Sequence, residues 1–544
     1  MAGNRYIQVL LPLKLEWEPY YALPEGMSAA VGDTVTVEFA HRRYEAVVTA
    51  VDVTPDDGLD VKSVIETPCT SAVSDDASSS ADVNDTSSPD AFRGALPFWR
   101  ELSAYYLCTP GEVYKVATVK TKILPRETPG TVARSDDASS STDATGPSST
   151  DAFPESQITA AFSEGKTVLL TGSGREEIYT QFALETLASG RSVLQLVPTR
   201  KKKQVFELAK NGNSRWITGT KNALFTALPD LGLVIVDEEQ DPSFKQDSPA
   251  PRYGAREAAI MLAKLHGANV ILGSETPSLE SLYNAETGLF KKINLKQSKR
   301  FIPSIINTTD ETRKKGMSGS FSLKLLDKVK NALDNGEKVL IVCRSKQVVQ
   351  EAQEELKNIF PEAAGKSVFF TFQQGLKTID FKAFSLTVFM QADSLLGKED
   401  FRCDERALQL LSQLSLITRL VIQTRESEHP VFKALQDGKD ALVFLEERRL
   451  CNLPPFSRLV NIVFRDKNEK RIKYLSQLLS RVITGTGPYA PSFDSEDEHI
   501  RIIRITLPKD KTLKSRKAAI YQAVKQFEKD HGYTGHIVID VDPV

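Results

Sequence analysis

Residues 6–10, 34–39 and 44–48 alternate apolar and polar side chains with period two, and Pro24, Gly26 and Gly32 punctuate the gaps. That pattern predicts a small β-rich domain over residues 1–70. Residues 97–107 instead space their apolar groups for one face of a short helix, which Pro110 and Gly111 are expected to end. Over 154–300, aliphatic runs at 168–170, 193–197, 233–236 and 269–272 alternate with helical segments, one of them spanning 177–189 before Gly190. Strands that are apolar throughout, separated by helices, predict a parallel sheet with crossover connections. The alternation recurs over 301–440, with strands at 339–343, 368–371, 386–390 and 420–423. Residues 441–544 predict an α+β domain, with strands near 459–464, 501–507 and 536–541 and helices over 467–483 and 511–530. The fold class is multidomain α/β.

Two segments break this patterning. SDDASSSADVNDTSSPDAF at 74–92 recurs as SDDASSSTDATGPSSTDAF at 135–153, identical at 13 of 19 positions. Ser, Asp and Ala cannot bury enough surface to offset the entropy of ordering, so disordered inserts are expected at 71–95 and 135–153. The two repeats carry nine Asp and no Lys or Arg, so a chain of net charge −2 has a body of +7 without them. A mildly basic body suits an anionic partner. The 544 residues fit three or four domains. The five cysteines are far apart and form no C-x-x-C pair, so neither a disulfide framework nor a zinc site is predicted. Reduced thiols, and no run with signal-peptide or membrane-spanning character, give a cytoplasmic expectation with no membrane partner.

The chemistry begins at 167–179, TVLLTGSGREEIY, where a buried strand enters a Gly-rich turn and then a helix. Glycines let the backbone wrap an anion while N–H groups and the helix N-terminus point at it. Gly172, Ser173, Gly174, Arg175 and Glu176 are therefore the candidate nucleotide-binding residues. A working phosphate loop of this kind supplies a Lys to the phosphates and a Ser or Thr hydroxyl to magnesium. Arg175 and Glu176 stand in those two places. Arg is longer and forked, so it does not replace a phosphate-loop Lys conservatively. A carboxylate 4 Å from a phosphate charge is repelled by about 4 kcal/mol at an effective dielectric of 20.

About 60 residues later, LGLVIVDEEQ at 231–240 places carboxylates at the end of an apolar strand. In that position Asp237 would hold magnesium and Glu238 would polarise an attacking water, which makes them the candidate catalytic pair. Gly273, Ser274 and Thr276 lie in a GSETPS turn after the next strand; alone, it is only a turn.

Taken together, these motifs resemble the PriA family of replication-restart helicases, in superfamily 2. The resemblance also rests on GTKNALF at 219–225, DEEQDPSFKQ at 237–246, Arg252-Tyr253 and Ala255-Arg256. Farther on it includes Asp400-Phe401-Arg402, Glu405-Arg406, Glu447-Arg448-Arg449, Leu453-Pro454-Pro455-Phe456 and IDVDP at 539–543. It implies an N-terminal 3′-DNA-binding-like domain, a remnant winged-helix-like segment at 96–134, and two RecA-like lobes at 154–300 and 301–440. The second lobe is reduced, and the α+β domain follows at 441–544. The resemblance implies that Gly273, Ser274 and Thr276 couple nucleotide state to DNA, with ATP and Mg2+ as cofactors. It also implies that Phe244, Lys245, Arg252, Tyr253 and Arg256 contact single-stranded DNA. For Phe244 and Tyr253, base stacking and ordinary packing both stay open.

The departures weaken the motor. The family's G-S-G-K-T reads GSGRE here, Gln240 replaces a His, and Glu275 enters the G-S-A-T-P turn. After Val342-Cys343-Arg344-Ser345 no cysteine-rich zinc module follows, so no zinc and no metal-ligand cluster are expected. The arginines that reach the γ-phosphate are missing, Arg419 being a candidate remnant. Pro19-Tyr20-Tyr21 replaces the family's F-D-Y, which puts 3′-end recognition in doubt. The basic runs 200–203, 313–315 and 509–517 are candidate phosphate contacts or solvated faces. Three readings follow. The first is a replication-restart protein that binds forked or single-stranded DNA beside primosome and single-strand-binding proteins, with an impaired ATPase. The others are an active 3′-to-5′ helicase and a DNA-independent scaffold.

Overall fold

The chain's first strands, β1 (Arg5–Leu10), β2 (Tyr20–Leu23), β3 (Thr34–Phe39) and β4 (Arg42–Val51), form an antiparallel sheet in the order β2-β1-β4-β3. Ile7, Val9, Tyr21, Val35, Val37, Ala46 and Val48 share its buried face, as the period-two pattern requires. The structure is a computed structural model that describes residues 5–56, 59, 61–67, 94–118, 124–126, 154–199, 213–226, 228–296, 299–362, 365–397, 400–485, 487, 491–497, 499–533 and 537–543. Both Ser/Asp-rich repeats and the basic run at 200–203 lie outside those residues.

The helix expected at 97–107 is Ala95–Tyr106. Pro110 does not end structure there but starts a second helix, Pro110–Ala117. Thr109 caps it, with Glu112 reaching back to complete a capping box, and Pro sits at the first helical position, where its missing N–H costs nothing.

A seven-stranded sheet carries the nucleotide-type motifs. Its strands are β5 (Leu124–Arg126), β6 (Thr167–Thr171), β7 (Ser192–Leu196), β8 (Asn213–Gly219), β9 (Leu231–Asp237), β10 (Asn269–Ser274) and β11 (Phe290–Asn294). They run in the order β11-β6-β10-β9-β7-β8-β5. β7 pairs in parallel with both β8 and β9, and every residue of β7 and β9 is buried, as expected of strands covered on both faces.

A five-stranded sheet is formed by β12 (Ser304–Asn307), β15 (Val339–Cys343), β16 (Val368–Phe372), β17 (Leu386–Phe389) and β18 (Arg419–Thr424). Its order is β12-β18-β17-β15-β16, and each neighbouring pair is parallel. The short pair β13 (Met317–Ser318) and β14 (Phe321–Ser322) lies between β12 and β15 in sequence. The helix Lys346–Ile359 follows β15 directly, capped by Ser345. The C-terminal sheet, β20-β21-β19-β22, joins β19 (Ser457–Arg465), β20 (Ser492–Asp497), β21 (Ile500–Pro508) and β22 (Ile537–Val541), with helices Glu469–Gly485 and Leu513–Asp530.

By contact, Met1–Val168, Glu176–Leu272 and Cys451–Val544 make one compact unit, and Leu169–Arg175 with Gly273–Leu450 make the other. The phosphate loop and the GSETPS turn therefore belong to one unit, and the DEE strand end, the 244–256 loop and the C-terminal domain to the other.

Candidate functional site

The end of β6 delivers the chain into the turn at Gly172 and Gly174, whose φ angles are 96° and 83°. A Cβ on Gly172 would lie 2.9 Å from the Lys296 carbonyl oxygen, so both the space and the backbone conformation require glycine there. The residues after β11 run against the loop. Leu295 N–H donates to the Thr171 carbonyl at 2.7 Å, and Thr171 Oγ1 donates to Asn294 Oδ1 at 2.6 Å. Ser173 donates through both its N–H (3.0 Å) and its Oγ (2.9 Å) to the Lys296 carbonyl. Arg175 Nη1 donates to the Gly172 carbonyl at 2.7 Å and lies 3.4 Å from Glu275 Oε1. The loop's hydroxyl, one of its N–H groups and its cation therefore already have partners within the chain. The helix Arg175–Ala188 carries Glu176 and Glu177 in its first turn, where their charge complements the helix dipole that a bound phosphate would otherwise meet.

At the end of β9, Asp237, Glu238 and Glu239 are 1%, 7% and 3% exposed. Tyr179 Oη donates to Asp237 Oδ1 at 3.2 Å, and Gln240 Nε2 donates to Glu238 Oε2 at 2.9 Å. Arg256 Nη1 pairs with Glu239 at 2.7 Å. Glu238 sits at φ 54°, a left-handed conformation uncommon for a residue with a side chain.

Ser274 Oγ accepts the Thr276 N–H at 2.9 Å, and Gln413 Nε2 donates to Thr276 Oγ1 at 3.0 Å. Just beyond, Glu405 Oε1 accepts the Leu279 N–H at 2.9 Å, and Gln409 Nε2 donates to the Pro277 carbonyl at 3.2 Å. Glu405 also meets Arg448 at 3.1 Å, while Arg402 pairs with Glu280 at 2.6 Å. The guanidinium groups of Arg402 and Arg448 stand 4.9 and 4.5 Å from the Phe401 ring centre. Burial, and then the neighbouring Glu280, push the Glu405 carboxyl above its ordinary pKa. Phe401, Arg402, Glu405 and Arg448, drawn from the DFR, ER and ERR strings, thus assemble as one network beside the turn. Sequence reasoning used them for recognition and missed the network, because their spacing reveals nothing about convergence.

Of the five residues expected to contact DNA, Phe244, Lys245 and Tyr253 are 4%, 8% and 0% exposed. Lys245 Nζ meets Asp540 Oδ1 at 2.8 Å and donates to the carbonyls of Arg252 (2.9 Å), Val541 (2.7 Å) and Asp542 (3.0 Å). Arg252 pairs with Asp540 at 3.7 Å. Tyr253 Oη donates to Asn222 Oδ1 at 2.9 Å, and its ring stands edge-on to Phe225. Arg256 pairs with Glu239 and, at 2.5 Å, with Glu257. In this arrangement Phe244 and Tyr253 are packing residues, and Lys245 and Arg252 tie the loop to the C-terminal strand. Asp542 accepts from Tyr105 Oη at 2.8 Å and pairs with Arg458 at 3.2 Å. Lys517, the last residue of a basic run, is buried; it donates to the Tyr105 carbonyl, and burial lowers its pKa to about 8.

Arg313, Lys314, Lys315, Lys509, Lys511 and Lys514 are exposed. Arg419 pairs with Glu337. In the N-terminal sheet Tyr21 is buried and donates to the Glu38 carbonyl at 2.9 Å, while Tyr20 is half-buried. Among the described residues the cysteines are free, no group of metal-ligating side chains occurs, and no helix is long and apolar enough to cross a membrane.

Residues 8–80 match a family model described as 3'DNA-binding domain (3'BD). Replication restart protein PriA of Chlamydia pneumoniae is 26% identical over 455 residues, covering 59% of this chain and 61% of that protein. Its counterpart in Bacillus subtilis is 31% identical over 225 residues, 35% of this chain and 28% of that protein. The Rickettsia felis protein is 22% identical over 608 residues, 88% of this chain and 90% of that protein. The matched region thus spans 61% of the Chlamydia pneumoniae protein's length and 28% of the Bacillus subtilis protein's. A solved chain of S. cerevisiae Dbp5 bound to RNA and ADP BeF3 covers 53% of this chain at TM-score 0.29 and 12% identity, too slight a likeness to carry an argument.

Proposed function

We propose a function from one premise: the chain belongs to the family of replication restart protein PriA. On that premise it acts in DNA replication restart and primosome assembly by binding forked or single-stranded DNA. Primosome components and single-strand-binding proteins are its expected partners. Its nucleotide site contributes little or no ATP turnover.

The observation that carries this reading is a matched DNA-binding domain at 8–80 in a chain whose phosphate-loop cation already faces a carboxylate, Glu275. Asp237 and Glu238, at the end of an apolar strand, remain our candidates for a metal- and water-holding pair, yet the loop's own residues do not fit a magnesium nucleotide. Glu176 offers no magnesium hydroxyl, and both donors of Ser173 are given to Lys296. The 244–256 loop serves DNA binding by bracing the C-terminal strand, while exposed cations such as Arg42 and Arg43 on β4 supply phosphate contacts.

Fork, flap and single-stranded DNA binding across a salt series tests the proposal. Affinity that falls steeply with salt supports it. Failure to bind any of the three at low salt contradicts it.

A further inference from the structure

This inference rests on the reading of a disabled nucleotide site and concerns what holds that site shut. In a Gly-rich turn at a helix N-terminus, backbone donors and a cation converge on an anion. Here that convergence has an occupant from the chain itself. Arg175, its side chain 10% exposed, faces Glu275 at 3.4 Å, with Glu275 21% exposed. At such depth an ion pair is screened less than one in open solvent. The residues after β11 add a steric part. Lys296 presents its carbonyl, an acceptor, to the Ser173 N–H and hydroxyl, where an incoming phosphate oxygen would need donors.

We propose that Glu275 is a built-in anion that latches the phosphate loop closed. Its carboxylate takes the charge role of a nucleotide phosphate toward Arg175, so an external phosphate must displace it before reaching the cation. Arg175 and Glu275 are then one device: the first keeps the loop's positive charge, and the second neutralises it from the turn after β10. The latch joins that turn to the phosphate loop without nucleotide, a link that survives in a protein with no turnover.

The test uses the full chain without DNA and titrates inorganic pyrophosphate into wild type, Glu275→Ala, Glu275→Gln and the double variant Arg175→Ala/Glu275→Ala. Amide exchange at 171–176 is followed in the same samples. The latch predicts pyrophosphate affinity about tenfold higher in Glu275→Ala, a change of about 1.4 kcal/mol. It also predicts faster exchange at Ser173 and loss of the affinity gain in the double variant. Glu275→Gln keeps the side chain's size and gives the same direction should the alanine variant fold poorly. Equal affinity in wild type and both Glu275 variants overturns the latch, as does a gain that persists without Arg175. Fork binding measured on the same samples reports separately on the proposed function, so either can fail while the other stands.

Discussion

Lys245 Nζ and Asp540 Oδ1 lie 2.8 Å apart, both largely buried, and join the loop after the DEE strand to the last strand of the chain. Three backbone carbonyls complete the ammonium's shell. Removing one partner of a buried pair costs about 3–5 kcal/mol, and loss of Lys245 leaves Asp540 only the more distant Arg252, at 3.7 Å. Lys245→Ala is therefore expected to lower unfolding stability by that order, with Asp540→Ala close behind and the double variant far from additive. Denaturant titration measures this. A Lys245→Ala protein of unchanged stability that loses fork affinity would return this residue to the DNA-contact role.

Gly172→Ala is expected to destabilise the chain by about 1–3 kcal/mol, because a Cβ meets the Lys296 carbonyl at 2.9 Å and φ is 96°. Gly165, at φ 67° with open space around its Cβ position, is the control for backbone strain alone. Comparing the two unfolding midpoints separates steric closure of the loop from conformational cost.

Acid titration reads the Asp542 cluster. Burial raises this carboxyl's pKa, but Arg458 and Lys517 outweigh burial and hold it below the ordinary carboxylate value. A depressed folded-state pKa means that the unfolded chain takes up the proton first on acidification. The stabilisation is therefore present above about pH 4 and lost as pH falls through the folded-state value. Urea midpoints measured between pH 7 and pH 3 are expected to fall more steeply for wild type than for Asp542→Asn. Parallel curves would contradict this.

Glu405 joins the Leu279 N–H to Arg448 inside the second unit. Glu405→Ala removes the carboxylate that meets buried Arg448 and the acceptor of the Leu279 N–H, and is expected to cost about 3 kcal/mol. Faster amide exchange in the helix Leu279–Glu286 than in the helix Leu323–Asp334 would locate that loss at the turn.

Much of this arrangement was legible where burial is two-sided. β9 and β15 read as unbroken apolar runs, and both are buried along their whole length. The helix does end before Pro110, at Tyr106, but Thr109 and Glu112 around that proline spell a capping box, the start signal of a second helix that the expected stop left out. β5, with a central proline, and β11, with two lysines, have no strand signature and are defined by their places at the sheet's two edges. The 244–256 loop shows a deeper limit. A mixture of aromatic and basic residues has the same pattern whether it stacks on bases or closes over a distant carboxylate, and Asp540 is local only in three dimensions. Arg175 and Glu275 were each legible as departures, but the contact that makes them a pair was not.

The most direct test of the central claim is DNA-stimulated ATP hydrolysis, measured on the chain and on the variant Arg175→Lys/Glu176→Thr, with forked DNA present and its binding verified. Fork binding is expected of both proteins, with turnover at background in the wild-type chain. Robust turnover by the wild-type chain, abolished by Glu238→Gln, would show a working motor and contradict that claim.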